Sequence, residues 1–218
     1  MRTLAIETAT EACSVALFEG TELLARDHRT IGRGHAEQLV PMIGALPGKG
    51  KAERILVSLG PGSFTGVRIG IATARALGCA WRAEVLGYPT MALVATMAQN
   101  EHAEPVTVCM TGGHGEWFVQ NFDLTGEPDS EMASLSPESA VPFAKHTLVA
   151  GSKAQELATI STSKYLKVLH MLPDASLVSL LPENSIKTAL APIYGRPPDA
   201  KPQHSGLSNI LKFKANSA

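Results

Sequence analysis

Apolar and polar positions along the first hundred residues follow two alternating periods. "TLAIETAT" reads as a short buried strand, Leu4 to Glu7, that stops in a threonine-rich turn, and "CSVALFEG" follows with β-branched and apolar residues as far as Gly20. "TELLARDH" can make a third strand. Three short strands joined by short turns predict an antiparallel meander. The period then changes in "GHAEQLVPMIGAL", where Leu39, Met42, Ile43 and Leu46 recur at helical spacing. Pro41 falls inside that pattern and is expected to kink the helix or open a new first turn. "RILVSLG", Arg54 to Gly60, reads as a strand of the parallel type, and "GPGSFTGVRIGIATARALG" begins a helix after it. "EVLGYPTMALVATMAQN" adds a short strand, a Tyr88-Pro89 turn and a helix ending near Asn100.

About one hundred residues on, the pattern partly restarts. "PVTVCMTGGHGEWFVQNFDLTGE" is again strand, small-residue turn and strand, ending at Gly126. A repeat at half the chain length predicts two similar α/β lobes, residues 1–102 and 103–218. Further along, "HTLVAGS" reads as a strand and turn, "LPDASLVSLLPEN" as a helix and "PIYGRPPDAKPQ" as an extended segment. The last stretch, "HSGLSNILKFKANSA", is expected to be mobile or loosely docked.

Composition narrows the class of protein. With 218 residues the chain can bury a core without metal or disulfide staples. A formal net charge of −1 gives no general attraction to nucleic acid or anionic membrane, so RNA contact would need basic surface from another chain. Cys13, Cys79 and Cys109 are odd in number and widely spaced, which fits a reducing compartment and argues against a zinc ribbon. Glu7 and Glu11 interrupt any signal-peptide core, and no apolar run reaches the roughly 18 residues of a membrane span. A cytoplasmic protein without a membrane segment is expected.

The glycine-rich stretch raises the question of phosphate binding. Gly60-Pro61-Gly62 makes a tight turn after a strand, and Ser63 or Thr65 can cap the helix that follows. A helix N-terminus attracts anions, so Gly62, Ser63 and Thr65, with Thr8 and Thr10 of the first hairpin, are candidate anion or nucleotide contacts. The spacing nonetheless matches neither the Walker loop, which needs a lysine, nor the dinucleotide fingerprint. Beyond the turn, Gly66, Gly70, Ala74 and Gly78 fall four apart and form a nearly bare helical stripe. Interior helical glycines cost about 0.5–1 kcal/mol each relative to alanine, so close backbone approach must compensate. The stripe faces either this chain's own sheet or a helix of another chain. Arg68 and Arg75, seven apart, lie on a different face and are expected to meet solvent or a partner.

Ligands for catalysis are thin. The first hairpin turn is "ETAT", with Glu7 and Ala9 where an aspartate and a glycine would grip magnesium and phosphate in two-lobed phosphotransferases, and the second, "MTGGHGE", begins without an acid. His35 is followed four residues later by Leu39, so no helical histidine pair can clamp a metal. Ser63 lacks an evident base.

Taken together, "LAIETATEACSVAL", "GHAEQLVPMI", "GPGSFTGVRIGIATARALG" and the late "PIYGRPPDA" resemble the TsaB (YeaZ) family, strongly over residues 1 to about 100. The resemblance implies a two-lobed actin-like, Hsp70-like ATPase fold built from duplicated ribonuclease H-like lobes. It implies a non-catalytic scaffold that pairs with a TsaD-like synthase, joined by a TsaE-like ATPase, to form N6-threonylcarbamoyladenosine at position 37 of tRNAs reading ANN codons. Metal and ATP-Mg are then expected on the partner subunits, with none bound by this chain alone and tRNA met only through the complex. The family's first-lobe helices make the partner interface, which places His35, Leu39, Met42, Arg68, Gly70, Ile71, Ala74 and Arg75 at it; the same helices would make a homodimer in isolation. One departure stands out: Met110-Thr111-Gly112 replaces the family's Asp-Ala-Arg. The competing expectation is an independent enzyme, a glycoprotease-like metallopeptidase or an actin-fold phosphotransferase.

Overall fold

A computed structural model describes residues 1–161 and 167–195. The first half opens with the expected meander, β1 (Arg2–Glu7), β2 (Ala12–Glu19) and β3 (Glu22–Thr30), in antiparallel register. α1 (His35–Ala45), β4 (Arg54–Ser58), α2 (Phe64–Trp81) and β5 (Glu84–Tyr88) follow, with β4 and β5 running parallel to β1. The sheet order is β3-β2-β1-β4-β5.

After α3 (Thr90–Glu101) the same scheme returns: β6 (Val106–Thr111), β7 (Trp117–Phe122), β8 (Ala133–Leu135), α4 (Pro137–Phe143), β9 (Leu148–Ala150), α5 (Ala154–Ile160) and β10 (Lys167–Leu169). The second sheet reads β10-β9-β6-β7-β8, which is the first order strand for strand, with the same antiparallel and parallel pairings. The hairpin echo in the sequence is therefore a full structural duplication, and the fold is the two-lobed, actin-like one.

Period-two alternation in β1 explains how the layers stack. Leu4 and Ile6 point to one face, where Leu39, Met42 and Ile43 of α1 and Val67, Ile71 and Ala74 of α2 cover them. Ala5 points to the other face and joins a core shared with α3, Val106, Val108 and Met110. α3 is buried along nearly all of its length, from Thr90 to Ala98, because a sheet lies on either side of it. A helix apolar all round is what such a position requires.

Two local readings are sharpened. α1 runs through Pro41 without opening a new first turn there; the hydrogen bond that proline cannot make falls on the exposed side, next to Glu37 and Pro41, where water can take its place. "LPDASLVSLLPEN" forms two tight 3₁₀ segments, Ala175–Leu180 and Glu183–Ser185, instead of an α-helix. Asp174 caps the first by accepting from the Ser176 N–H, and Pro182 stops it from lengthening. The expected tail, and the extended segment beyond Gly195, lie outside the described residues. No helix among the described residues is long and apolar enough to cross a membrane.

Candidate docking surface and the glycine turn

Local geometry at the start of α2 answers the phosphate question. The β1–β2 turn folds directly onto the helix N-terminus, where the Ser63 N–H donates to the Ala9 carbonyl at 2.6 Å and the Thr8 hydroxyl donates to the Gly66 carbonyl at 2.8 Å. Ser63 caps the helix, its hydroxyl accepting from the Gly66 N–H at 3.2 Å. A Cβ at Gly62 would collide with the Ala9 carbonyl oxygen, and one at Gly66 with that of Thr8. Further along, a Cβ at Gly70 would overlap the Thr8 hydroxyl and one at Gly78 the Val85 side chain, while Ala74 is fully buried. The bare stripe thus faces the chain's own sheet. Its glycines serve close backbone approach inside the lobe.

Phosphate fares poorly in this arrangement. Two of the donors that an anion at the α2 N-terminus would draw on are already taken, the Ser63 N–H by the Ala9 carbonyl and the Gly66 N–H by the Ser63 hydroxyl. Of the five candidate contacts, Thr8 and Thr10 are buried, Gly62 is half-buried against the Ala9 carbonyl, and Ser63 and Thr65 are exposed. Glu7, at the place of a magnesium-gripping carboxylate, is fully buried, and its Oε1 accepts from the Ala9 N–H at 2.7 Å. Its Oε2 is buried without a hydrogen-bond partner. Burial drives its pKa up to about 7, and the nearby Ala9, Ser58 and Tyr88 groups offset only part of that. A fully buried acid turned inward, with one oxygen held by the Ala9 N–H, does not suit Mg²⁺, so ATP-Mg does not fit this turn. In the second hairpin, Met110 is packed into the shared core, Thr111 pairs with Ser152 and the Gly112 N–H with the Glu116 carbonyl.

Most of the residues expected at a partner interface turn out to be inside the protomer. Leu39, Met42, Ile71 and Ala74 belong to the first-lobe core, Gly70 sits on Thr8, and His35 is buried with its Nε2 3.2 Å from the Ala12 carbonyl. The reason is general: apolar residues at helical spacing mark the seam that a helix turns to its own sheet. Only Arg68 and Arg75 are exposed. The outward face of the two helices is instead made of small and apolar residues. On α1 it presents Ala36, Val40 (57% exposed), Pro41 and Gly44, with Glu37; on α2 it presents Phe64 (54% exposed), Thr65, Ala72, Ala76, Cys79 and Ala80 around the arginines.

A strap that sequence reasoning missed borders this face. Lys187 and Gly87 exchange backbone hydrogen bonds at 2.8 Å, and the Ile193 N–H donates to the Leu59 carbonyl at 2.7 Å. Arg75 donates to the Leu190 carbonyl at 3.1 Å. Arg68 donates to the Tyr194 hydroxyl at 3.0 and 3.2 Å, and its guanidinium lies 3.5 Å from the centre of the Phe64 ring. Gly195 then meets the Phe118 ring of the second lobe. Residues 187–195 thereby bridge the lobes beside the Gly60–Gly62 turn. The only sequence signal was the quoted "PIYGRPPDA" stretch, which gave no hint of where it lands.

The cysteines separate cleanly. Cys13 and Cys109 are buried, and desolvation lifts their thiols to about 11 and about 12. Cys79 is exposed on α2. One equivalent of maleimide is expected to label the folded chain, at Cys79, with the other two reacting only after denaturation; peptide mapping checks this.

Comparison with known proteins agrees with this architecture. The family model for TsaD, tRNA N6-adenosine threonylcarbamoyltransferase, matches residues 28–180. TsaB, a tRNA threonylcarbamoyladenosine biosynthesis protein of Escherichia coli, is 41% identical over 148 residues, which cover 63% of this chain and 64%, just under two thirds, of that protein's length. The solved YeaZ structure from Pseudomonas aeruginosa superposes with a TM-score of 0.72 at 28% identity, covering 88% of this chain and 99% of the other. A second structure, described as an uncharacterized Pseudomonas aeruginosa protein with similarity to peptidase YEAZ, gives 0.69 at 31% identity, covering 82% and 89%. On these matches the chain belongs to the TsaD family, on its TsaB (YeaZ) branch.

Proposed function

We propose that this chain is a non-catalytic subunit of the machinery that makes N6-threonylcarbamoyladenosine at position 37 of tRNAs reading ANN codons. It acts in the cytoplasm by docking a TsaD-like synthase on the outward α1–α2 face. A TsaE-like ATPase joins the assembly, metal and ATP-Mg are held by the partner subunits, and tRNA is met only through the complex. The observation that carries the reading is the pairing of two features on the same helices. Their inner sides and the β1–β2 turn pack so closely that Gly62 and Gly66 leave no room for a Cβ, and the Ala9 carbonyl takes the Ser63 N–H. Their outer sides leave an apolar, small-residue face uncovered. In isolation the same face would pair with a second copy.

Ala72 lies at the centre of that face and is exposed. Ala72→Trp is expected to change folding stability by no more than about 0.5 kcal/mol, as for ordinary surface sites. It should weaken binding of the purified TsaD-like synthase from the same organism by at least about tenfold, the scale of an interface hot spot. Calorimetric titration alongside thermal melting reads both. Unchanged affinity would move the docking site elsewhere.

A further inference from the structure

We infer that Arg68 and Arg75 choose what the α1–α2 face accepts: they favour a partner helix that carries carboxylates and weaken, without preventing, its pairing with a second copy of this chain. The inference rests on the docking reading above and adds the chemistry of the partner. α2 has no acidic residue among its 18, and its two arginines stand seven residues apart on the outward side. Two helical turns separate them by about 10.5 Å. Among the described residues neither is within reach of a carboxylate. Arg75 is held by the Leu190 carbonyl and Arg68 by the Phe64 ring and the Tyr194 hydroxyl. These are neutral partners that fix each guanidinium in place and, among the described residues, leave its charge uncompensated. Tyr194 and Phe64, their rings tilted by 32° with centroids 5.5 Å apart and 41% and 54% exposed, hold Arg68 at the rim of the face.

Symmetry makes the charge selective. A two-fold contact brings the same patch against itself. Whether α2 crosses a second α2 in parallel or antiparallel fashion about Ala72, four arginines converge there. The single acid on the outward side of α1, Glu37, supplies at most two compensating carboxylates to that dimer. A heterologous helix with Asp or Glu at two positions one heptad apart neutralises both arginines and gains two charge-assisted contacts. Unlike-charge pairs of this kind weaken with salt, and like-charge contacts strengthen as salt screens them.

Sedimentation of the full chain, alone and with the purified TsaD-like synthase, at low and high sodium chloride tests the inference. Self-association of the native chain is expected to tighten with salt, while the synthase complex loosens. In an antiparallel pair of α2 helices, Arg75→Glu sets a carboxylate opposite Arg68 of the other copy, twice over by symmetry. Self-association of that variant should tighten about tenfold and its synthase binding weaken by a similar factor. Arg75→Ala, which removes charge without reversing it, should fall between. Self-association that loosens with salt, or that weakens in Arg75→Glu, overturns the inference. So does a synthase complex that is indifferent to salt and to both variants, with the docking reading left intact. Failure of the synthase to bind in any salt removes the docking reading itself, and this partner choice with it. Tight binding of the chain alone to purified tRNA, lost in Arg75→Glu, would assign the arginines to nucleic acid and overturn the inference as well.

Discussion

Gly66→Ala is expected to destabilise the chain by on the order of 3–5 kcal/mol, a large share of the stability of an ordinary domain. The added methyl would overlap the Thr8 carbonyl oxygen, and both atoms belong to backbone, so no side chain can swing aside. Relief requires the β1–β2 turn to lift from α2, which breaks the Thr8–Gly66 and Ala9–Ser63 hydrogen bonds. Gly70→Leu should act in the same direction, with stability lost before association. Gly44 is the control. It lies within α1, and an added Cβ there meets nothing within 4 Å, so Gly44→Ala should stabilise by about 0.5–1 kcal/mol. Urea denaturation of the three variants separates an internal stripe from an external one. A folded Gly66→Ala that merely fails to bind its partner would contradict the internal packing.

Glu7→Gln is expected to change how stability responds to pH. Burial holds the folded carboxyl near a pKa of about 7, against 4.5 for the exposed group. Between those values the folded chain keeps a proton that the unfolded chain has released, so stability falls as pH rises through that window and is level above about 7. The full loss is about 3 kcal/mol, since each pKa unit is worth 1.36 kcal/mol. Gln has the shape of the protonated acid and cannot ionise. The variant should therefore gain on the native chain as pH rises from 4.5 to 7, reach its largest advantage at pH 8, and show little difference near pH 4. Native and variant chains with parallel stability–pH curves would mean that Glu7 is solvated or paired in the fold.

Legibility of the fold followed element length. The first lobe has strands of five to nine residues and helices of 11 and 18, long enough for a period to declare itself. Second-lobe strands β8, β9 and β10 have three residues each and α4 and α5 seven, so neither period completes two cycles, and these elements went unread apart from "HTLVAGS". The duplication was visible only in its two hairpins, which carry strands of six to eight residues.

The site was legible in outline and mistaken in detail. Spacing identified the stripe but left open what lay against it, because a bare ridge looks the same in sequence whether it meets a sheet or a foreign helix. What decides is a contact between Thr8 and Gly66, 58 residues apart. The bond from Arg68 to Tyr194 spans 126 residues and is equally invisible to any local pattern. The outward face escaped notice for a chemical reason: Ala72, Ala76 and Ala80 read as filler in a helix, and only their exposure in the fold makes them a surface.

The direct measurement is the rate at which maleimide labels Cys79 in the free chain and in the chain saturated with the TsaD-like synthase. Cys79 stands among the outward alanines of α2, beside Ala76 and Ala80, and a helix docked along this face excludes reagent as well as water from the surface that it covers. Labelling slowed at least about tenfold in the complex is the predicted result. An unchanged rate in a complex shown by sedimentation to have formed would contradict docking on the α1–α2 face.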